Sequence, residues 1–278
     1  MHFHQNPLAP KPAATLMSLR DTAFPMFATL GPSLRYDSVL MYKFIRLGKV
    51  ALAVMGIESS RSTVSSDDNL YYDILALIDT TVLPSLSYMD SNCSVAEEIW
   101  SLLKFYPYQI RYSLYSRWKN ETYSLYPELL RKRGDAEKQI KNIMKRVSKE
   151  NVKPIGRSIG KITHSSPGFL FDYMLVQIQV YDNLIHPVVD SLKYLTNLSY
   201  DVLGFCLIES LANAEKKRVK HDSTSISSWL QSLSSFCGAV FKKYNIELTG
   251  LLQYVANQLK AQKRLVLHIY LKILVEYT

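Results

Sequence analysis

Little in this chain favours a sheet. Glycine and proline number only ten and eleven in 278 residues, which speaks against an all-β or disordered chain. No Asn-Gly or Asp-Gly dipeptide occurs, so the strongest short-range hairpin signal is missing. Sustained two-residue alternation of apolar and polar side chains is missing as well. Cysteine is sparse: Cys93, Cys206 and Cys237 lie far apart, are odd in number and form no Cys-x-x-Cys pair, against a disulfide framework. No apolar run is long enough to span a bilayer. The opening "MHFHQNPLAPKPAATL" lacks a basic start followed by an apolar core, so no signal peptide is read. The expectation is an intracellular protein, in which the triplets Asn92-Cys93-Ser94, Asn120-Glu121-Thr122 and Asn197-Leu198-Ser199 carry no glycan.

What the chain does have is apolar content, 47% of residues, enough to bury a core, and it falls at helical spacing. Leu40, Phe44, Leu47, Ala51 and Val54 share one helix face, as do Leu70, Ile74, Leu77 and Ile78. Ser166 followed by Pro167 reads as an N-cap and a proline at the first helical position. Leu170, Met174, Ile178 and Tyr181 run behind it. Pro187 interrupts, and Val188, Leu192 and Leu195 follow, then Leu203, Leu207 and Leu211. Ser223 or Thr224 can cap a helix striped by Ile226, Trp229, Leu233, Phe236, Val240 and Tyr244. Leu248, Leu251, Leu252, Val255 and Leu259 make one more. The fold class is all-α: an α-solenoid-like or irregular helical-repeat array of roughly ten to twelve helices, without a repeat consensus at a fixed period. Residues 58–69 read as a loop. Residues 1–33, with five prolines, read as an irregular N-terminal segment, 34–263 as the helical domain and 264–278 as an atypical tail.

The stretch "YPYQIRYSLYSRWKNETY", 106–123, holds five tyrosines and a tryptophan. Ile110, Leu114 and Trp118 are four apart and form one stripe, with Arg111, Arg117 and Lys119 mostly off it. Core packing is the favoured reading; an aromatic platform for nucleic-acid bases and a partner interface are the alternatives. Trp118 and Trp229 are both expected to be buried on helix faces.

The motifs that resemble chemistry fail on context. "GRSIG", 156–160, has the G-x-S-x-G form of a nucleophile elbow around Ser158, but polar, basic "RVSKENVKP" precedes it in place of an apolar strand. Gly156, Gly160 and Lys161 nearly make a phosphate loop, yet the glycine spacing is one short and Ile162 follows the lysine. His2, His4, His164, His186, His221 and His268 have no partner at metal spacing, and Cys206 and Cys237 sit on apolar helical faces. No residue is assigned a catalytic, metal-binding or cofactor-binding role, and no cofactor is expected.

Charge is the remaining lead. The chain carries a net charge of +9, and residues 131–161 hold eleven Lys or Arg against three acids. Arg131, Lys132, Arg133, Lys138, Lys141, Lys145, Arg146, Lys149, Lys153, Arg157 and Lys161 are the candidate contacts for RNA or for a protein partner. Ile140, Ile143, Met144 and Val147 give this run a narrow apolar stripe, so it reads as an amphipathic helix with a basic outer face. A solvated face, phosphate contact and an acidic protein surface all fit such a pattern. A second basic run, "KKRVK" at 216–220, has the form of a nuclear-import signal.

Several long strings in order, "PYQIRYSLYSRWKNETY", "IMKRVSKENVKPIGRSIGKITHSSP", "FDYMLVQIQVYDNLIHPVVDSLKYL", "KHDSTSISSWLQSLSSFCGAVF" and "GLLQYVANQLKAQK", closely resemble the THO complex subunit 2 family. The resemblance runs from about Phe24 to Lys263 and stops at Arg264, where "RLVLHIYLKILVEYT" takes over. A truncated or alternative gene product would carry such a tail, and its Leu267, Leu271 and Leu274 predict a helix unmatched to the core. The resemblance implies a non-enzymatic nuclear scaffold of the THO part of TREX, coupling transcription and mRNA processing to mRNA export. It further implies other THO subunits as partners, and a DEAD-box RNA-export ATPase reached through the assembly. The alternative is an independent helical RNA-binding module using the 131–161 face. RNA contact is expected to be weak and indifferent to sequence, with no membrane partner.

Overall fold

The computed structural model describes residues 12–57, 69–213 and 227–260. Among the described residues every regular element is helical: α1 (Leu16–Leu30), α2 (Ser38–Val54), α3 (Asn69–Leu77), α4 (Leu83–Tyr88), α5 (Cys93–Leu103), α6 (Tyr108–Arg117), α7 (Tyr123–Leu125), α8 (Pro127–Met144), α9 (Val152–Thr163), α10 (Pro167–Val180), α11 (Ile185–Ser191), α12 (Asn197–Ala212), α13 (Ser228–Lys243) and α14 (Thr249–Lys260). Gly31–Tyr36, Asp182–Leu184 and Leu192–Tyr194 are 3-10 turns. The π turns Ile78–Val82 and Trp118–Thr122 fuse α3 to α4 and α6 to α7. Twelve separate helices remain, the upper end of the expected range. The tail at 264–278, the 216–220 run, Ser223 and Thr224 lie outside the described residues, as does the expected loop except for Asn69.

The array is not a one-dimensional stack, in which each unit would touch only its sequence neighbours. α10 sits at the centre, with Leu170, Phe171, Met174, Leu175 and Ile178 buried, and packs on α8, α9, α12 and α13. α12 packs in turn on α5, and α5 on α2. Asn197 at the head of α12 donates from its backbone and side-chain nitrogens to the two carboxylate oxygens of Glu97 on α5, at 2.7 and 2.8 Å. The expected all-α class is therefore observed, as a packed helical array.

Irregular backbone is expected over 1–33, but it is helical from Leu16. Thr15 and Ser18 close a reciprocal capping box at 3.1 and 2.9 Å, which satisfies two backbone donors that a helix start leaves open. Pro25 lies inside α1. Tertiary packing overrides it: Phe24 is buried, and Phe27 lies 5.0 Å from the Phe44 ring of α2. Pro32 falls in the first turn of a 3-10 segment, where a missing N–H is tolerated.

Two stripes are rotated from their expected positions. α2 buries Met41, Phe44, Ile45, Gly48, Ala51 and Leu52 and leaves Leu47 and Val54 outside. Val39 and Val50 are exposed as well, so α2 is apolar nearly all round and its periodicity is ambiguous by one residue. α14 buries Leu251, Tyr254 and Val255 but exposes Leu252 and Leu259.

Candidate functional site

The basic run is not one helix. α8 ends at Met144 and α9 begins at Val152. The Asn151 side chain stitches the turn between them: it accepts from the Ser148 N–H at 2.9 Å and donates to the Arg146 carbonyl. α8 buries only Leu129, Ile140 and Met144, a narrow stripe that leaves most of its circumference in water. α9 buries Ile155, Ile159 and Ile162 with Gly156 and Gly160.

Nine of the eleven candidate cations are exposed: Arg131, Lys138, Lys141, Lys145, Arg146, Lys149, Lys153, Arg157 and Lys161. The other two are engaged. Lys132 donates to the Tyr88 carbonyl and lies 3.4 Å from Asp90. Arg133 pairs with Glu137 at 2.8 Å and lies over the Phe169 ring at 4.7 Å. Lys138 is 3.8 Å from Asp135, an exposed pair of little energetic weight. Arg131, Lys141, Lys145, Arg146, Lys149, Lys153, Arg157 and Lys161 form no ion pair with a described residue. Exposed cations of this kind are electrostatically complementary to anionic groups in general. Residues 131–161 contain no aromatic side chain, so the run itself offers no ring on which a base could stack.

The 106–123 stretch packs inward. Tyr106, Leu114, Tyr115, Trp118 and Tyr123 are buried. The Trp118 indole N–H donates to Ser87 Oγ at 2.7 Å. Trp229 departs from expectation: it is only half-buried, and Leu230 next to it takes the core position.

Arg111 and Lys119 depart further, because both are buried although they stand off the Ile110–Leu114–Trp118 stripe. Arg111 forks onto Asp201 of α12, with Nε to Oδ2 at 2.8 Å and Nη2 to Oδ1 at 3.1 Å. It also reaches Glu247 at 2.5 Å and the Tyr106 carbonyl at 2.6 Å. The Tyr115 hydroxyl donates to Asp201 at 2.7 Å. Burial by itself would lower the guanidinium pKa, but Asp201 holds it above its ordinary value, so Arg111 stays charged. Lys119 bonds Asp172 of α10 at 2.9 Å and Glu209 of α12. Ligand atoms of Asp172, Cys206 and Glu209 lie within 4.8 Å of one another, and the Lys119 ammonium bridges the two carboxylates there, offsetting one of their two charges. A sequence signal for these partners exists: Asp172 is the one acid of strongly apolar α10, and Asp201 is one of two, with Glu209, in strongly apolar α12, where a buried acid is rarely kept unless paired.

The motif residues serve packing. A Cβ on Gly156 would lie 2.5 Å from the Ser191 carbonyl oxygen, and one on Gly160 2.9 Å from that of Tyr194. These glycines let α9 lie directly on the end of α11 and the turn after it. Ser158 donates back to the Pro154 carbonyl at 3.0 Å, within its own helix. His164 contacts Ser91 Oγ through Nδ1 at 3.1 Å. Of the triplet asparagines, Asn92 accepts from the Val95 N–H at 3.2 Å as the cap of α5.

A helical array without a catalytic constellation among its described residues, carrying many exposed cations on α8, α9 and the turn between them, is the class defined so far. Residues 159–234 match the family model described as "Transcription- and export-related complex subunit". Residues 12–157, more than half of the chain, match the one described as "THO complex subunit 2 N-terminus". The chain belongs to the THO complex subunit 2 family. It is 55% identical over 260 residues to THO complex subunit 2 of Homo sapiens, covering 93% of this chain and 16% of that protein. The Arabidopsis thaliana protein of the same name is 36% identical over 258 residues, 88% of this chain and 14% of its own length. That of Saccharomyces cerevisiae is 25% identical over 252 residues, 89% and 15%. The chain thus spans 16% of the length of the curated human relative.

Proposed function

We propose that the chain is a non-enzymatic helical scaffold of the THO part of TREX, acting in the nucleus to couple transcription and mRNA processing to mRNA export. Its partners in this reading are other THO subunits, with a DEAD-box RNA-export ATPase recruited through the assembly. The observation that carries the reading is family membership across residues 12–157, in a chain whose described residues are spent on helix packing and buried ion pairs. The test is co-expression of the full chain with the remaining THO subunits, followed by size-exclusion chromatography. Co-migration at fixed stoichiometry is expected. A folded chain that elutes apart from every THO subunit overturns the reading.

The second reading, an RNA-binding module, rests on the eight cations of residues 131–161 that form no ion pair with a described residue. Phosphate contact alone gives weak, sequence-indifferent binding whose affinity falls with salt at a log–log slope of roughly −0.7 per neutralised phosphate. Reversing Lys141, Lys145 and Lys149 to Glu removes most of that binding if the face carries it. Unchanged affinity in the triple variant rejects this reading and leaves the scaffold reading standing.

A further inference from the structure

Among the described residues, the most exposed aromatic side chain lies outside 106–123. Tyr36, the last residue of the Gly31–Tyr36 turn, is 79% exposed. The Arg35 guanidinium lies over two rings at once, 4.7 Å from the Tyr36 centroid and 4.0 Å from that of Tyr88. It donates from Nη2 to the Tyr36 hydroxyl at 2.7 Å, and both of its terminal nitrogens are 3.4 Å from Glu128. Tyr126 supports Tyr88 edge-on, at 6.5 Å. These groups border an open groove of about 530 Å³ that also takes in Arg131 and Lys132, the first two cations of the basic face, and Asp135.

We infer that this groove binds single-stranded nucleic acid, stacking one base on the open face of Tyr36 while Arg131 contacts the adjoining phosphate. Arg35 covers one face of the Tyr36 ring and ties down its hydroxyl, so the ring is held in place. At 79% exposure the other face is in water. A held ring loses little freedom when a planar ligand lands on it, and every base presents a π-face, so stacking is sequence-tolerant. Glu128 is offset by Arg35, whereas Arg131 has no acid partner among the described residues and is left for a phosphate. An acidic peptide would meet the cations but would leave the Tyr36 ring uncovered, while Glu128 and Asp135 repel either kind of anion alike. The exposed ring therefore favours a base-bearing ligand. This inference goes beyond the scaffold reading and does not depend on it, since the groove lies within one chain.

The test is fluorescence anisotropy on the full chain at about 0.1 M salt, where phosphate contacts are not yet screened out. The probes are oligouridine of about twelve nucleotides, within the reach of one site, and an abasic strand of equal phosphate number. The wild type is expected to prefer the base-bearing strand by about fivefold or more, the scale of one stacked base. Tyr36→Ala removes that preference while leaving the abasic affinity unchanged, and Tyr36→Phe keeps it. Arg131→Ala weakens both strands alike. Tyr36 is exposed, so these variants are expected to fold, which circular dichroism checks. Absence of binding, equal affinity for the two strands in the wild type, or a preference that survives in Tyr36→Ala each overturns the inference. Displacement by polyglutamate more readily than by the abasic strand assigns the groove to acidic peptides and overturns it too.

Discussion

Arg111 and Asp201 stand ninety positions apart and meet as a two-bond fork, with 1% and 3% of their side chains exposed. The fork joins α6 to α12 and draws in Glu247 ahead of α14. Two buried charges are taken out of water to make it, so its net worth is modest, but the loss of one partner strands the other. Arg111→Ala and Asp201→Ala are each expected to cost about 3–5 kcal/mol. The double variant costs clearly less than their sum, because neither charge is then left alone. Urea denaturation of the four species checks this; additivity within about 0.5 kcal/mol rejects the coupling.

Trp118 and Trp229, two of the chain's three tryptophans, separate. Trp118 is 4% exposed and gives its N–H to Ser87, so Trp118→Ala is expected to cost about 3–5 kcal/mol. Trp229 is half-buried, and Trp229→Ala is expected to cost about 1–2 kcal/mol, within the ordinary range for a point substitution. Thermal melts that rank the two variants in the opposite order refute the assignment.

Two glycine-to-alanine changes should have opposite signs. At Gly156 the new methyl would sit 2.5 Å from the Ser191 carbonyl and 2.7 Å from the Tyr194 ring. Gly156→Ala is expected to destabilise by about 1–3 kcal/mol through overpacking. At Gly134, inside α8, nothing lies within 4 Å of the new carbon. Gly134→Ala is expected to stabilise by about 0.5–1 kcal/mol, the helix-propensity difference. Denaturation midpoints that move the same way for both contradict the packing described for α9.

His164 predicts a pH dependence. Burial pushes its pKa below the ordinary histidine value, and nearby Glu97 opposes this only in part. The unfolded chain therefore takes up a proton more readily than the native one. The stability tied to this group is fully present above about pH 6.5 and is lost as pH falls through the lower native value. Denaturant midpoints measured between pH 7 and pH 5 should fall toward the acid side. The fall should be shallower in His164→Gln; an identical profile in the variant removes His164 as the cause.

Much of the fold was legible because helical periodicity records which face is buried. Leu170, Met174 and Ile178 are buried as read, though Tyr181, read with them, is exposed just past the end of α10; Leu203, Leu207 and Leu211 are all buried. Reading failed where that record is weak. α2 has apolar residues on all sides, so no spacing singles out Met41 and Ile45 over Leu47 and Val54. α1 carries an internal proline that local rules penalise, and the contact of Phe27 with Phe44 joins separate helices. That most cations of 131–161 face outward was legible from composition alone, since a solvated surface charge needs no tertiary information. Arg111 and Lys119 were misplaced because their acids, Asp201 and Glu209, are each ninety residues away in sequence.

The close seating of α9 has a consequence for its outer side. With Gly156 and Gly160 pressed against backbone carbonyls, this helix has little room to roll or slide. Lys153, Arg157 and Lys161 rise from its exposed surface at four-residue steps, about 6 Å apart along the axis at 1.5 Å per residue. Their bases are fixed as teeth on a comb, and only the side-chain stems move. An anionic chain or surface laid along them finds a row of charges at set intervals, so the alignment that contact would otherwise have to impose is already built into the folded backbone.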